Sequence, residues 1–149
     1  MRFTIEQLDG RYIPDMVEIE KECFSAPWSY ESFAQELVNR MAVYSVAVSD
    51  KRCVGYMGMH HIIDEGYITN IAVTNGARRH GVATALMEQM LTYARKSGLR
   101  MMSLEVRQSN QVAIDFYRKH GFEIVGFRKN YYTNPTEDGH IMTKILLNG

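Results

Sequence analysis

Arg78, Arg79 and His80 stand together between an apolar run, Ile71-Ala72-Val73, and a glycine, Gly81, that opens the amphipathic stretch Val82-Ala83-Thr84-Ala85-Leu86-Met87. An apolar strand, a basic loop and a glycine-led helix in that order aim several backbone N–H groups at one point. The positive end of a helix dipole stands behind them. Such a point attracts phosphate, and the Arg pair with His80 adds charge on the spot. Two other phosphate-binding readings fail. No Gly-Lys-Ser/Thr follows Gly81, and no Gly-x-Gly-x-x-Gly occurs. On this short pattern alone, a plain strand–loop–helix connection with a solvated Arg pair stays open.

A second signal is Glu105. On the strand that carries Met102, Leu104 and Val106, Glu105 points the opposite way, with Ser103 and Arg107. A carboxylate inside an apolar strand is unusual. It is either a group with a chemical task or half of an ion pair with Arg107 or another cation. His60 and His61 are strand neighbours that point to opposite faces, so they make no metal pair. Cys23 has no basic partner nearby in sequence and sits on an apolar helix face, which reads as core rather than nucleophile.

The elements that must position these groups follow from periodicity. Arg2 to Gln7 alternates as a strand. Ile13, Met16, Val17 and Cys23/Phe24 recur at helical spacing, and Ala26-Pro27-Trp28 breaks that helix. Ser29 caps the next one, with Phe33 and Leu37 on one face. Met41 to Ser49 and Val54 to Ile62 are strands around a hairpin at Asp50-Lys51-Arg52. Asp64-Glu65-Gly66 reads as a second turn, and Tyr67 to Thr74 as a further strand. Val82, Leu86, Met90 and Ala94 form a helical stripe ended by Ser97-Gly98. After the Glu105 strand, Ser109-Asn110 caps a helix with Ala113, Phe116, Tyr117 and His120 along one side, stopped by Gly121. Phe122 to Tyr132 and Ile141 to Leu147 are the last strands, joined by Asn134-Pro135-Thr136-Glu137-Asp138-Gly139. The order is β-α-α-β-β-β-α-β-α-β-β, a single α/β domain over residues 1–149 with a mixed sheet covered by helices on both faces.

Bulk numbers set bounds. The 149 residues fit one domain, and 46% hydrophobic with 23% charged residues is ordinary for a globular chain. A formal net charge of +0 argues against a general nucleic-acid binder and favours a small anionic ligand at the local Arg cluster. No apolar run approaches membrane-span length, and the start is not a signal peptide. Two cysteines without a Cys-x-x-Cys unit fit a reducing cytoplasmic setting.

Arg78 to Ala83, as Arg-x-x-Gly-x-Ala, resembles the pyrophosphate loop of the GNAT superfamily of acetyl-CoA-dependent N-acetyltransferases, and the element order is that of the GNAT fold. The resemblance runs over nearly the whole chain. Its pieces are Ala26-Pro27-Trp28-Ser29, Asn70-Ile71-Ala72-Val73, Leu104-Glu105-Val106-Arg107-x-Ser109-Asn110, Phe116-Tyr117 with Gly121-Phe122, Arg128-Lys129-Asn130-Tyr131-Tyr132, and Asp138-Gly139 with Ile141-Met142. In this succession they are similar to the branch that acetylates the N-terminal alanine of ribosomal proteins. One departure is Ala83, where many relatives carry a second glycine; a methyl group still lets the backbone approach a pyrophosphate.

The resemblance implies direct transfer from acetyl-CoA, without an acyl-enzyme and without a metal. The thioester carbonyl must be polarised, the amine neutral, and the leaving thiolate protonated. Backbone N–H groups of Ile71, Ala72 and Val73 then hold the acetyl and pantetheine groups. Arg78, Arg79, His80, Gly81, Val82, Ala83 and Thr84 hold the phosphates, and Asn110 the pantetheine arm or phosphates. Glu105 is the base, relaying through water, and Tyr117 the acid. Trp28, Tyr30, Tyr131 and Tyr132 wall the peptide side. An α-amine suits such a base. Its ordinary pKa is about 7.7–8.0 against about 10.4 for lysine, so neutralising lysine costs roughly 3.5 kcal/mol more. The implied partner is the N-terminus of a small-subunit ribosomal protein, acted on by a monomer or weak homodimer. A small-molecule amine, several protein N-termini, or a non-catalytic acyl-CoA-binding module stay open as alternatives.

Overall fold

The computed structural model describes residues 1–146; the expected strand end at Leu147 lies outside them. The elements run β1 (Thr4–Gln7), α1 (Ile13–Cys23), α2 (Tyr30–Leu37), β2 (Ala42–Ser49), β3 (Arg52–Ile62), β4 (Glu65–Val73), α3 (Val82–Lys96), β5 (Met101–Arg107), α4 (Gln111–Lys119), β6 (Glu123–Tyr132) and β7 (Glu137–Ile145). Short 3-10 turns at Gly10–Tyr12 and Asn75–Ala77 are additions to the order read from periodicity. All seven strands share one sheet, ordered β1-β2-β3-β4-β5-β7-β6. Only β4 and β5 pair in parallel; the other neighbours are antiparallel.

Strand alternation divides the core between two faces. Tyr44, Val46, Val48 and Tyr56 join Ile13, Met16, Ile19 and Phe33 of α1 and α2. Met57, Met59, Ile68, Met102, Leu104 and Val106 join Leu86, Met87, Met90 and Ile114 of α3 and α4. The helix ends obey local rules. Ser29 Oγ accepts from Ser32 N at 3.2 Å, and Asn110 Oδ1 from Ala113 N at 3.2 Å. Gly98 (φ 73°) and Gly121 (φ 92°) end α3 and α4 in the left-handed region.

Four local expectations need correction. Leu37 is 42% exposed, and its helix buries Glu36 beside Phe33 instead. On α4 the buried pair is Ile114 and Tyr117, while Phe116 packs only at the margin of the core. The β3–β4 turn is Ile63-Asp64, not Asp64-Glu65-Gly66. Gly66 lies inside β4, where a Cβ would meet Met59 Sδ at 2.5 Å and Leu99 Cδ1 at 3.2 Å. Likewise β7 starts at Glu137, not Ile141, and Gly139 lies under the Tyr131 and Tyr132 rings, 3.2 and 3.1 Å from where its Cβ would be. Both glycines clear space for packing, a role that composition cannot separate from a turn.

Candidate active site

The parallel pairing of β4 and β5 covers only Glu65–Tyr67 against Met101–Ser103. Beyond it the strands part. A bulge at Thr69, left unpaired between Met59↔Ile68 and Gly58↔Asn70, bends β4 at that point. The gap is a cleft of about 450 Å³, within the range of small-ligand sites. Ile68 to Ile71 line it from β4, Leu104 to Arg107 from β5, Asn110, Ala113 and Tyr117 from α4 and its cap, and Glu20, Cys23 and Trp28 with Phe24 to Ala26 from α1 and the following loop.

Glu105 enters this cleft from β5, its side chain 7% exposed. Of the cations left open as its partner, the one present is not Arg107. Arg128 Nε on β6 lies 3.0 Å from Oε1, and the Tyr67 hydroxyl donates to Oε2. Arg107 turns instead to Glu137 at 3.1 Å and to the Thr133 and Pro135 carbonyls at 2.7 and 2.9 Å, fastening the β6–β7 hairpin. Tyr117 reaches the same cleft from α4. Burial raises its phenol well above the ordinary value, so it stays protonated at neutral pH, and its hydroxyl makes no hydrogen bond among the described residues. A carboxylate and a protonated phenol thus face one cavity.

Of the four aromatic residues expected on the peptide side, Trp28 and Tyr132 line the cleft, while Tyr30 and Tyr131 do not. Tyr30 is half exposed at the start of α2. Tyr131 packs edge-on against Tyr132, centroids 5.0 Å apart. A register shift in β6 between Arg128 and Tyr132, with Asn130 at φ 52°, turns Tyr132 inward. Arg107 stacks over its ring at 4.6 Å, and its phenol is pushed up to about 12, chiefly by burial.

The basic loop follows β4. Gly81 (φ 79°) precedes α3 with open space where a Cβ would be, and no side chain caps the helix. The first-turn N–H groups therefore remain available to an anion. The Arg pair divides. Arg78 folds back, donating to the Val73 carbonyl at 3.2 Å and to Cys23 Sγ at 3.4 Å. Arg79, at φ 65°, is exposed with His80, and neither makes a hydrogen bond or ion pair among the described residues. Ile71 and Asn110 border the cleft; Ala72 is buried, Val73 and Ala83 half-buried, Val82 buried, and Thr84 exposed. An uncapped helix start beside a cleft that runs along a strand edge fits a phosphate-bearing chain with an acyl end. Cys23 also borders the cleft, half-buried, and burial pushes its thiol up against the pull of Arg78, so the thiolate is disfavoured.

Sequence reading missed Glu20. It is 2% exposed, accepts the Trp28 N–H at 3.0 Å and the Tyr56 hydroxyl, and borders the cleft. Burial raises it to about 7, against the opposing pull of the Trp28 N–H and the Asn70 side chain. A signal existed: Glu20 falls seven residues after Ile13 and four after Met16, on the apolar stripe of α1. His60 and His61 do diverge, to Glu36 at 2.7 Å and Tyr93 at 2.7 Å.

A seven-stranded mixed sheet parted between β4 and β5, with an anion-ready helix start at one end, defines an acyl-CoA transferase scaffold. The profile of the Acetyltransferase (GNAT) family matches residues 13–122. A ribosomal protein bS18-alanine N-acetyltransferase of Escherichia coli is 33% identical over 91% of this chain and 90% of its own length. A Bacillus subtilis relative, provisionally named for the same reaction, is 38% identical over 93% of this chain and 89% of its own. The crystal structure of the ribosomal-protein-S18-alanine N-acetyltransferase from Escherichia coli superposes with a TM-score of 0.90, at 30% identity, over 99% of this chain and 97% of that one. The chain belongs to the GNAT family and is an acetyl-CoA-dependent N-acetyltransferase.

Proposed function

We propose that this chain, as one domain over residues 1–149, is an Nα-acetyltransferase of the cytoplasm. It moves the acetyl group of acetyl-CoA to the N-terminal alanine of a small-subunit ribosomal protein of the bS18 kind. The observation that carries the reading is the meeting of Glu105 and Tyr117 in one cleft, from β5 and α4. The names of the Escherichia coli and Bacillus subtilis relatives support the choice of acceptor.

Acetyl-CoA supplies the acyl group as a thioester. The uncapped N–H groups from Gly81 onward and the Arg79 side chain bind its phosphates, and the unpaired β4 edge at Ile71–Val73 orients the pantetheine and acetyl ends. Glu105, held by Arg128 and Tyr67, takes the proton of the acceptor α-ammonium through water. Tyr117, kept protonated by burial, gives a proton to the departing sulfur. Trp28 and Tyr132 flank the acceptor chain, with Tyr131 bracing Tyr132 from behind.

The test is acetyl transfer, read by intact-mass spectrometry, to a short peptide beginning with alanine and to the same peptide with its α-amine blocked and a lysine free. Modification of the first alone is expected. Modification of the second alone, or of neither despite tight acetyl-CoA binding, overturns the acceptor assignment.

A further inference from the structure

Arg107 follows Glu105 by two residues on β5, so both side chains leave the same face of the sheet. Its guanidinium does three things at once. Nη1 donates to the Pro135 carbonyl at 2.9 Å and to Glu137 Oε1 at 3.1 Å. Nη2 donates to the Thr133 carbonyl at 2.7 Å. The plane also covers the Tyr132 ring, with Cζ 4.6 Å from the centroid. A planar fork can bond acceptors at its edge and stack by its face together; an ammonium cannot. The pair is sheltered, with the Arg107 side chain 23% and the Glu137 side chain 16% exposed. Both Nη atoms are engaged within the protein, which makes Arg107 a brace and not a ligand for an anion.

The brace continues through Glu137. Its Oε2 accepts the Ser109 N–H at 2.8 Å, and the Ser109 and Arg107 hydrogen bonds hold its carboxyl below the usual carboxylate range. Beside it the Gln108 N–H donates to the Asp138 carbonyl at 3.0 Å. The β6–β7 hairpin is thereby tied to the connection between β5 and α4, one residue before the Asn110 cap. Tyr132 has only uncharged support otherwise. Tyr131 meets it edge-on, and Gly139 leaves room beneath it, where a Cβ would fall 3.1 Å from Tyr132 Cε2. Arg107, Asn110, Tyr117 and Tyr132 all border the cleft.

We propose that Arg107 is a positioning residue for the acceptor, acting through Tyr132: it fixes the ring and the hairpin behind it in the orientation that receives the acceptor chain. This rests on the acceptor reading above. The acceptor is favoured over acetyl-CoA by position. Everything that Arg107 braces lies on β6, β7 and their hairpin, whereas the basic loop follows Val73 at the end of β4, across the cleft.

The experiment is a double-mutant cycle of Arg107→Met and Tyr132→Ala on an alanine-initiated peptide, with acetyl-CoA affinity measured by calorimetry. Arg107→Met keeps the apolar stem and removes the fork. It should raise the peptide KM about five-fold, the scale of one cation–π contact, with kcat and the acetyl-CoA dissociation constant within two-fold of wild type. The double variant should match Tyr132→Ala alone, because a residue that acts through Tyr132 has nothing left to position. Multiplied effects in the double variant overturn the proposal. So does an unchanged peptide KM beside a lowered melting temperature, or a loss of acetyl-CoA affinity in place of the peptide effect. If Arg107→Met does not fold, Arg107→Lys, which keeps the charge and loses the fork, takes its place in the same cycle with the same expected outcomes. Failure of wild type to acetylate any α-amine peptide removes the acceptor reading itself, and this proposal with it.

Discussion

Two carboxylates share the cleft, and their partners differ in kind. Glu105 on β5 meets a cation, Arg128 at 3.0 Å, and a phenol. Glu20 on α1 meets neutral donors among the described residues, the Trp28 N–H, the Tyr56 hydroxyl and the Asn70 side chain, and burial raises it to about 7. Desolvation penalises the charged form of any carboxylate; a nearby cation opposes that penalty and a neutral hydrogen bond opposes it less. The same side chain is therefore set up for two jobs. One faces the cleft paired with Arg128. The other fastens the loop around Trp28 to the sheet through Tyr56. The proposed chemistry uses Glu105, whereas Glu20 braces the wall.

The sharpest way to break this comparison is to neutralise each carboxylate. Glu105→Gln should lower kcat by 10²–10⁴-fold, the usual contribution of a positioned base, with acetyl-CoA affinity from titration calorimetry nearly unchanged. A parallel loss of affinity would make Glu105 structural. Glu20→Gln should act on stability instead. The folded state raises this carboxyl from 4.5 to about 7, so the folded protein holds a proton that the unfolded chain has released. Its stabilising effect is complete below about pH 4.5 and is lost as pH rises through about 7. Urea unfolding of wild type should therefore show stability falling across that window by up to about 3 kcal/mol from this group, a slope that Glu20→Gln removes. An identical slope in both proteins would end the claim that Glu20 is the raised group.

Smaller effects separate the two ends of the cleft. Arg79→Ala should raise KM for acetyl-CoA about ten-fold, as expected for one charge-assisted contact, and leave kcat alone. Arg78→Ala should do less to KM, because Arg78 already binds the Val73 carbonyl and Cys23. Equal effects would mean that Arg78 leaves those partners when acetyl-CoA binds. Smallest of all, Tyr132→Ala should raise the peptide KM several-fold and Tyr131→Ala less, since only Tyr132 borders the cleft. Steady-state rates over a range of peptide concentrations decide the order.

Much of the scaffold was legible before folding. The element order, the cap at Ser29, the glycine stops at Gly98 and Gly121 and the inward aim of Glu105 all follow from spacing along the chain. Gly66 and Gly139 were misread because a glycine under a side chain and a glycine in a turn look alike in sequence. What lies over Gly66 comes from Met59 and Leu99, 7 and 33 residues away along the chain. Leu37 was misread because periodicity assumes that the buried stripe is apolar, whereas Glu36 is buried through Tyr44, His60 and Asn39.

The sequence by itself determined the order of the elements, the glycine-led start of α3 and the places of Glu105 and Tyr117 on their strand and helix. These depend on side-chain period and on backbone groups within a few residues of one another. Only the tertiary structure decided the partners. Arg128 rather than Arg107 meets Glu105 across 23 residues, Tyr56 meets Glu20 across 36, and Tyr44 meets Asn70 across 26. Such pairs exist only after the sheet has set its register, because charge and hydrogen-bonding interactions act over a few ångströms and the chain separates these groups until it folds.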